Sequence, residues 1–223
     1  ALKFVRAEPY GNTGRFYSSR GIDLAIVNYR LQPAVTWRDQ VKDVAQALAW
    51  VYGHAENYGA DRRAIFISGH SSGAQLATRT ALDHESLQEL RLPSRVPCGV
   101  IAVSGAPFDI SDSKSYALGT KPVFYEKHFR AGESGDRWKY EASAINLVTP
   151  SAPPVLLLHG HWETKGLKRQ NQVMYQALKA AGVPSQLVVT PWEGHFLIVA
   201  ALSHPEKIAS TVILDFIRTT KCS

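Results

Sequence analysis

Cysteine is scarce in this sequence of 223 residues, which contains only Cys98 and Cys222. Two cysteines are too few for the disulfide framework of a small secreted domain, and we expect two unpaired thiols. Because free thiols favour a reducing compartment, we predict a cytoplasmic protein, with secretion as the alternative. The chain begins at Ala1 without a signal-peptide pattern, so a processed or trimmed start is an open alternative.

Long apolar runs and long basic tracts are also missing. No stretch reaches the roughly 20 apolar residues that a membrane span requires. The formal charge is +6, but the basic residues are scattered and form no nucleic-acid-binding motif. We therefore expect neither a membrane span nor a nucleic-acid partner. The chain length and the hydrophobic content of 45% predict a single globular domain with a substantial core.

Short apolar runs alternate with amphipathic segments along the chain. The apolar runs predict five strands, at residues 24–29, 64–68, 99–104, 154–159 and 186–189. The amphipathic segments predict helices after Thr36, at residues 72–81, at 169–181, and from about Ser203 with Pro205 in the first turn. This alternation predicts an α/β fold, a mostly parallel sheet with helices on both faces. Residues 105–150 show no clear strand and are predicted to form a cap-like insertion within one domain, 1–223.

The sequence GHSSG at residues 69–73 lies between a predicted strand and a predicted helix. In this context G-x-S-x-G predicts a sharp turn, here called the elbow, that lifts a nucleophilic serine, Ser71, above the strand end. We expect Gly69 and Gly73 to remove side chains that would collide at the turn. The backbone N–H of Ser72, at the helix start, is a candidate oxyanion donor. The alternative is a glycine-bounded turn without a catalytic role.

A nucleophilic serine needs a base, and the base needs an orienting carboxylate. In this architecture the order along the chain is serine, acid, histidine. His195 is the histidine that directly follows the last predicted strand, and Glu163 is the carboxylate close behind the fourth. His159 is the second candidate base and Asp109 the rival acid. We interpret His70, inside the turn, as a packing residue whose side chain points away from the nucleophile.

No histidine pair shows convincing metal-ligand spacing with cysteine or carboxylate, so we predict no metal and no cofactor. Aromatic residues are frequent in the 105–150 insertion and beside the candidate acid and base. Among them, Phe108, Trp162 and Phe196 are predicted to contact an apolar or aromatic substrate. The alternative is that the aromatic residues of the insertion pack it onto the core.

Five short segments occur in the order found in one large enzyme superfamily. They are YRLQP at 29–33, GHSSG at 69–73, SGAPFD at 104–109, LHG at 158–160 and GH at 194–195. Over about residues 20–220 the chain resembles the α/β-hydrolase superfamily. The similar branch contains esterases and lipases such as kynurenine formamidase-like, feruloyl-esterase-like and prenylcysteine methylesterase-like proteins. The resemblance implies a serine hydrolase with Ser71 as nucleophile, His195 as base and Glu163 as acid, although the family more often has Asp at the acid position.

The sequence departs from this branch before Gly21, where we find no His-Gly-Gly-type loop to supply further oxyanion donors. Either the native N-terminal portion is missing, or residues 2–5 form the preceding strand and the loop has diverged. The family places that strand between the 24–29 strand and the elbow strand. A sheet without it would leave buried backbone groups unpaired, at about 1–3 kcal/mol each. We therefore expect residues 1–8, or an N-terminal segment or fragment, to complete the sheet.

Three functions are compatible with these observations. The first is a carboxylic ester hydrolase that forms an acyl-enzyme intermediate. The second is an arylformamidase or other amide hydrolase that uses the same three residues. The third is a non-catalytic binding protein that keeps the fold and lacks the oxyanion loop. The first two would act on a small-molecule ester or amide.

Overall fold

The computed structural model describes residues 11–117 and 122–222, and their strands form one parallel sheet. The four strands lie in the order of the chain: β1 (Phe66–His70), β2 (Gly99–Val103), β3 (Val155–Gly160) and β4 (Ser185–Thr190). All neighbouring pairs are parallel. The prediction of an α/β fold with a mostly parallel sheet is confirmed, and so are four of the five predicted strands.

Helices connect and cover the strands. In chain order they are α1 (Gly11–Ser18), α2 (Trp37–His54), α3 (Ser72–Leu82), α4 (His84–Glu89), α5 (Ser113–Ala117), α6 (Pro122–Phe129), α7 (Arg137–Ala142), α8 (Lys165–Ala180), α9 (Leu197–Ala201) and α10 (Ile208–Thr219). Single 3₁₀ turns follow α2 at Ala55–Tyr58 and α7 at Ala144–Leu147. No helix in the described part of the chain combines the length and the apolar character that a bilayer crossing would need.

Alternate residues of the central strands β2 and β3 build the core on the two faces of the sheet. Val100 and Leu157 lie on the face covered by α3 and α8, in one cluster with Met174. Ile101 lies on the other face, in a cluster with Phe216 of α10. Successive side chains of a strand point to opposite faces of the sheet. Because both faces are buried here, every position of β2 and β3 favours an apolar residue.

The predicted strand at 24–29 is wrong. These residues have no regular structure, and Leu24 and Ile26 are exposed by 43% and 37%. The physical reason is the lack of a partner: among the described residues β1 pairs only with β2, and no strand lies on its other side. The main chain of Arg30 instead bonds to the carboxylate of Asp43 in α2. The expectation that residues 2–5 supply the neighbouring strand lies outside the described residues.

Two helices begin at other residues than the sequence predicts. Thr36 caps α2 as predicted, in a capping box with Asp39. However, α8 begins four residues before the predicted start, because the Thr164 side chain accepts a hydrogen bond from the N–H of Leu167. The last helix begins at Ile208 and not near Ser203, because the extended backbone of Lys207 separates it from the preceding turn.

The described part of the 105–150 region contains the three short α-helices α5 to α7, and aromatic residues of α6 and α7 pack against α2 and α3. Trp138 and Tyr125 are buried in one cluster with Trp37 of α2 and Leu76 of α3. These two aromatic residues therefore follow the alternative interpretation and hold the region on the core. The side chains of Tyr116 and Phe124 lie outside the described residues.

The expectation of two unpaired thiols is wrong. Cys98, just before β2, forms a disulfide with Cys222, which follows α10, across a Cα–Cα distance of 5.4 Å. Because 124 residues separate the two cysteines in sequence, spacing gave no sign of the pairing. Because the two cysteines are paired, they give no indication of a reducing compartment.

We expect reduction of this disulfide to lower the free energy of unfolding by about 2–4 kcal/mol, because the cross-link restricts the unfolded chain. Urea unfolding with and without dithiothreitol measures the difference. The double variant C98S/C222S is the control, and dithiothreitol should leave its unfolding curve unchanged. Two reactive thiols in the unfolded, unreduced protein would contradict the assignment.

Candidate active site

Ser71 lies at a sharp turn between β1 and α3. Its backbone has φ 58° and ψ −124°, a left-handed conformation that costs a non-glycine residue energy. Its N–H donates to the carbonyl oxygen of Val103 at 2.9 Å, which ties the turn to the end of β2. Ser72 is the first residue of α3, where backbone N–H groups have no partner within the helix.

Gly69 and Gly73, the two glycines of the turn, differ in the space that a side chain would have at each position. A Cβ on Gly69 would lie 2.2 Å from the carbonyl oxygen of Gly73 and 2.7 Å from the nitrogen of Ala74. The strand and the helix can therefore approach this closely only if residue 69 is glycine. A Cβ on Gly73 would meet nothing within 4 Å, so the expectation that Gly73 also prevents a collision is wrong.

The structure brings the three predicted catalytic side chains together. Nε2 of His195 lies 2.8 Å from Oγ of Ser71. Nδ1 of His195 lies 3.0 Å and 3.2 Å from the two carboxylate oxygens of Glu163. A carboxylate only accepts hydrogen bonds, so it fixes the imidazole proton on Nδ1 and leaves Nε2 free to accept the proton of Ser71.

Two loops carry the acid and the base, and they are joined to each other. Glu163 follows β3 and His195 follows β4. The N–H of Trp162 donates to the carbonyl oxygen of Glu193 at 3.0 Å. A Cβ on Gly160 would lie 2.3 Å from that same oxygen, so this glycine permits the contact. Parallel strands place both loops at the same edge of the sheet, where ligands of such sheets bind.

Glu163 is almost fully enclosed, with 2% of its side chain exposed. Burial alone would raise the pKa of its carboxyl, but the hydrogen bond from His195 and the nearby Ser104 hydroxyl hold the pKa below its ordinary value. The carboxyl is therefore ionised at neutral pH. A buried negative charge beside Nδ1 stabilises a positive charge on the His195 ring.

The rival candidates have other partners. Asp109 accepts a hydrogen bond from the N–H of Ser111 at 2.8 Å. His159 is buried, and its Nδ1 donates to the carbonyl oxygen of Gly160 at 3.0 Å. Burial lowers the pKa of His159, which keeps this ring neutral. Across residues 11–117 and 122–222, no group of three or more histidine, cysteine, aspartate or glutamate side chains could hold a metal ion.

Of the three predicted substrate contacts, two lie at the rim of the site. Trp162 is exposed by 65% and Phe196 by 72%, and the Phe196 ring meets the His195 ring edge-on at 5.2 Å. Phe108 does not reach the site, and its prediction as a substrate contact is wrong. Its ring is fully buried in the core cluster of Ala74 and lies where a Cβ on Gly105 would be.

The interpretation of His70 as a packing residue missed a contact. Its Nε2 lies 2.7 Å from the backbone carbonyl oxygen of His195, and the two rings are 4.8 Å apart. Burial, together with the neighbouring His195 ring, lowers the pKa of His70 to about 4. Nothing in the sequence except its position next to Ser71 indicated this contact, because residue 195 is 125 positions away.

The sequence is similar to one protein-family model and to several curated esterases. The family model BD-FAE matches residues 6–178. The chain is 27% identical over 198 residues to Esterase LipQ of Mycobacterium tuberculosis, covering 86% of this chain and 46% of that protein. It is 38% identical over 194 residues to a probable isoprenylcysteine alpha-carbonyl methylesterase of Oryza sativa subsp. japonica, covering 82% and 45%. The chain thus spans about half the length of these curated relatives.

Solved structures show the same fold. An esterase from Pyrobaculum calidifontis superimposes with a TM-score of 0.77 at 19% sequence identity, covering 98% of this chain and 73% of that one. The carboxyl esterase 2 of Tuber melanosporum gives a TM-score of 0.74 at 18% identity, with coverage of 98% and 74%. These matches establish an α/β-hydrolase fold, as the sequence predicted.

The two elbow glycines provide a matched pair of substitutions. We expect Gly69→Ala to abolish folding or activity, because its Cβ would overlap the backbone of Gly73. Gly73→Ala has free space within α3 and should raise the free energy of unfolding by up to about 1 kcal/mol. Thermal unfolding and activity of both variants measure this. Equal tolerance of the two substitutions would contradict the described turn.

The pKa of His70 predicts a pH dependence of stability. The folded pKa is about 4 and the ordinary value is 6.5, so between these limits the unfolded chain binds a proton that the folded chain does not. Stability should therefore fall as the pH drops from about 6.5 to about 4. Urea unfolding as a function of pH, compared with His70→Gln, isolates this contribution, and identical pH profiles would show that it does not exist.

Proposed function

This chain belongs to the BD-FAE family, and on that premise we propose that it is a carboxylic ester hydrolase acting through Ser71, His195 and Glu163. The observation that carries the proposal is the continuous contact from Oγ of Ser71 through the His195 ring to the Glu163 carboxylate. The names of the curated relatives, esterases and methylesterases, support the same reaction class.

The proposed reaction has two steps. Nε2 of His195 takes the proton of Ser71 while Oγ forms a bond to the ester carbonyl carbon. The protonated ring, held by Glu163, then gives that proton to the departing alcohol, and the acyl group stays on Ser71. In the second step His195 removes a proton from water while the water oxygen attacks the acyl carbon. The bond from that carbon to Oγ of Ser71 then breaks, His195 returns the proton to Oγ, and the carboxylic acid leaves.

The oxyanion that forms in each step needs hydrogen-bond donors. The N–H of Ser72 is the proposed donor within the described residues, since it begins α3 beside Oγ of Ser71. A second donor from an N-terminal segment that also completes the sheet stays a prediction. The absence of one donor would lower the rate by about 10²–10³.

The rim of the site favours esters with an apolar group. Trp162 and Phe196, which adjoin Glu163 and His195 in the chain, expose large apolar surfaces. The methylesterases among the relatives are named for isoprenylcysteine, which carries an apolar chain. We propose that this chain accepts small esters with an apolar acyl or alcohol part, without a cofactor.

Two other functions are tested together with this one. Turnover of p-nitrophenyl acetate without turnover of N-formylkynurenine supports the ester hydrolase, and the reverse supports the arylformamidase. A fluorophosphonate probe tests for a functional serine irrespective of substrate. The absence of labelling in the folded protein would favour the non-catalytic binding protein.

We predict that Ser71→Ala abolishes probe labelling and lowers ester turnover by about 10⁴-fold or more. Glu163→Gln should lower kcat by about 10³–10⁴-fold with little change in KM, because an amide neither fixes the Nδ1 proton nor stabilises the charged ring. Glu85→Gln, in the exposed first turn of α4, is the matched control and should stay within twofold of the wild type. Full activity of Glu163→Gln would contradict the proposed acid.

A further inference from the structure

The histidine next to the nucleophile has no task in the two-step reaction, although its contacts reach the base. His70 is the last residue of β1 and directly precedes Ser71. Its side chain crosses to the loop after β4, where Nε2 lies 2.7 Å from the carbonyl oxygen of His195. One residue therefore touches both partners of the proton transfer, the nucleophile through a peptide bond and the base through a hydrogen bond.

The geometry points to His70 as a positioning residue that holds His195 in reach of Ser71, an inference that rests on the proposed function. A carbonyl oxygen only accepts, so the His70 proton is on Nε2 and is donated to His195. This bond fixes the main chain of the base at the residue itself. The 2.8 Å separation of Nε2 of His195 from Oγ of Ser71 depends on that main-chain position.

The loop that carries the base needs such a connection. Exposed side chains lie on both sides of His195: Trp192 is exposed by 76%, Phe196 by 72% and Leu197 by 66%. Glu193 and Ile198 are buried and hold the loop at a distance of two and three residues from the base. The two side chains directly after His195 therefore do not anchor it to the core. Its main-chain connections include the bond from Trp162 to Glu193 and the bond from Ile198 to Gly194, which flank residue 195. The bond from His70 is made to residue 195 itself.

A neutral hydrogen-bond donor suits position 70 better than a charged one. Among the described residues, two titratable groups act on the His70 ring: His195, 4.8 Å away, and the carboxylate of Glu163. During the reaction His195 becomes positive. A lysine or arginine donor at position 70 would oppose that charge, whereas the His70 ring is kept neutral above pH of about 4 by its burial.

Three substitutions separate hydrogen bonding from packing. In His70→Gln the amide nitrogen lies as many bonds from Cβ as Nε2 does in histidine, so the donor is kept. In His70→Asn the amide nitrogen is one bond too close to the backbone, and in His70→Leu there is no donor. His84→Leu, which removes another partly buried histidine, at the start of α4, is the control for loss of a ring.

We expect His70→Gln to keep fluorophosphonate labelling and kcat within about threefold of the wild type. His70→Asn and His70→Leu should lose about 10- to 100-fold in kcat with KM unchanged, because a small displacement of the base costs rate and not binding. His84→Leu should stay within threefold. Wild-type rates in His70→Leu, or equal losses in His70→Gln and His70→Leu, would overturn the inference.

The same experiment distinguishes this inference from the proposed function. A wild type that the probe does not label overturns both, whereas labelling at one rate in the wild type and His70→Leu overturns the positioning role alone. Nitrogen NMR of the wild type gives a test that needs no variant to fold. At pH 7 it should show a neutral His70 ring protonated on Nε2; a ring protonated on Nδ1 would contradict the hydrogen bond.

Discussion

The contact between Nε2 of His195 and Oγ of Ser71 joins two loops that are 124 residues apart in the chain. It exists because the sheet is parallel: the strands that precede both residues end at the same edge. The close approach of Gly69 to Gly73 raises Ser71 above that edge, and the contact between Gly160 and Glu193 brings the other two loops together. Two glycines thus permit the backbone approaches on which the site geometry depends.

Burial has different consequences for the three ionisable groups around Ser71. Glu163 is enclosed but receives a hydrogen bond from His195, and it stays charged. His70 is partly buried, no carboxylate among the described residues bonds to its ring, and it stays neutral. Between them lies His195, with its side chain 27% exposed and hydrogen-bonded on both ring nitrogens. A fixed charge on one side and a neutral donor on the other are suited to a ring that must gain and release a proton.

The sequence predicted the parts of the fold that depend on local patterns. Continuous apolar runs identified β1 to β4, and the elbow motif with the expected chain order singled out the three side chains that the structure brings together. Their catalytic roles stay proposals. Residues 24–29 have the apolar pattern of a strand, but a strand also requires a paired neighbour, which no local pattern can supply.

Contacts between residues far apart in the chain could not be predicted from the sequence. Nothing in the spacing of Cys98 and Cys222 indicated that the start of β2 lies next to the end of α10. Phe108 has the chemistry of a substrate contact, and only the packing against Ala74 shows that it serves the core. Likewise, the hydrogen bond from His70 to residue 195 joins positions 125 residues apart, and no local pattern indicates it.

The direct test of the central claim is to trap the covalent intermediate. The protein is mixed with p-nitrophenyl acetate, quenched in acid within the first turnover, digested and mapped by mass spectrometry. The account predicts one acetyl group per chain, located on Ser71. An acetyl group on another residue, or hydrolysis at full rate without any acetylated peptide, would contradict it.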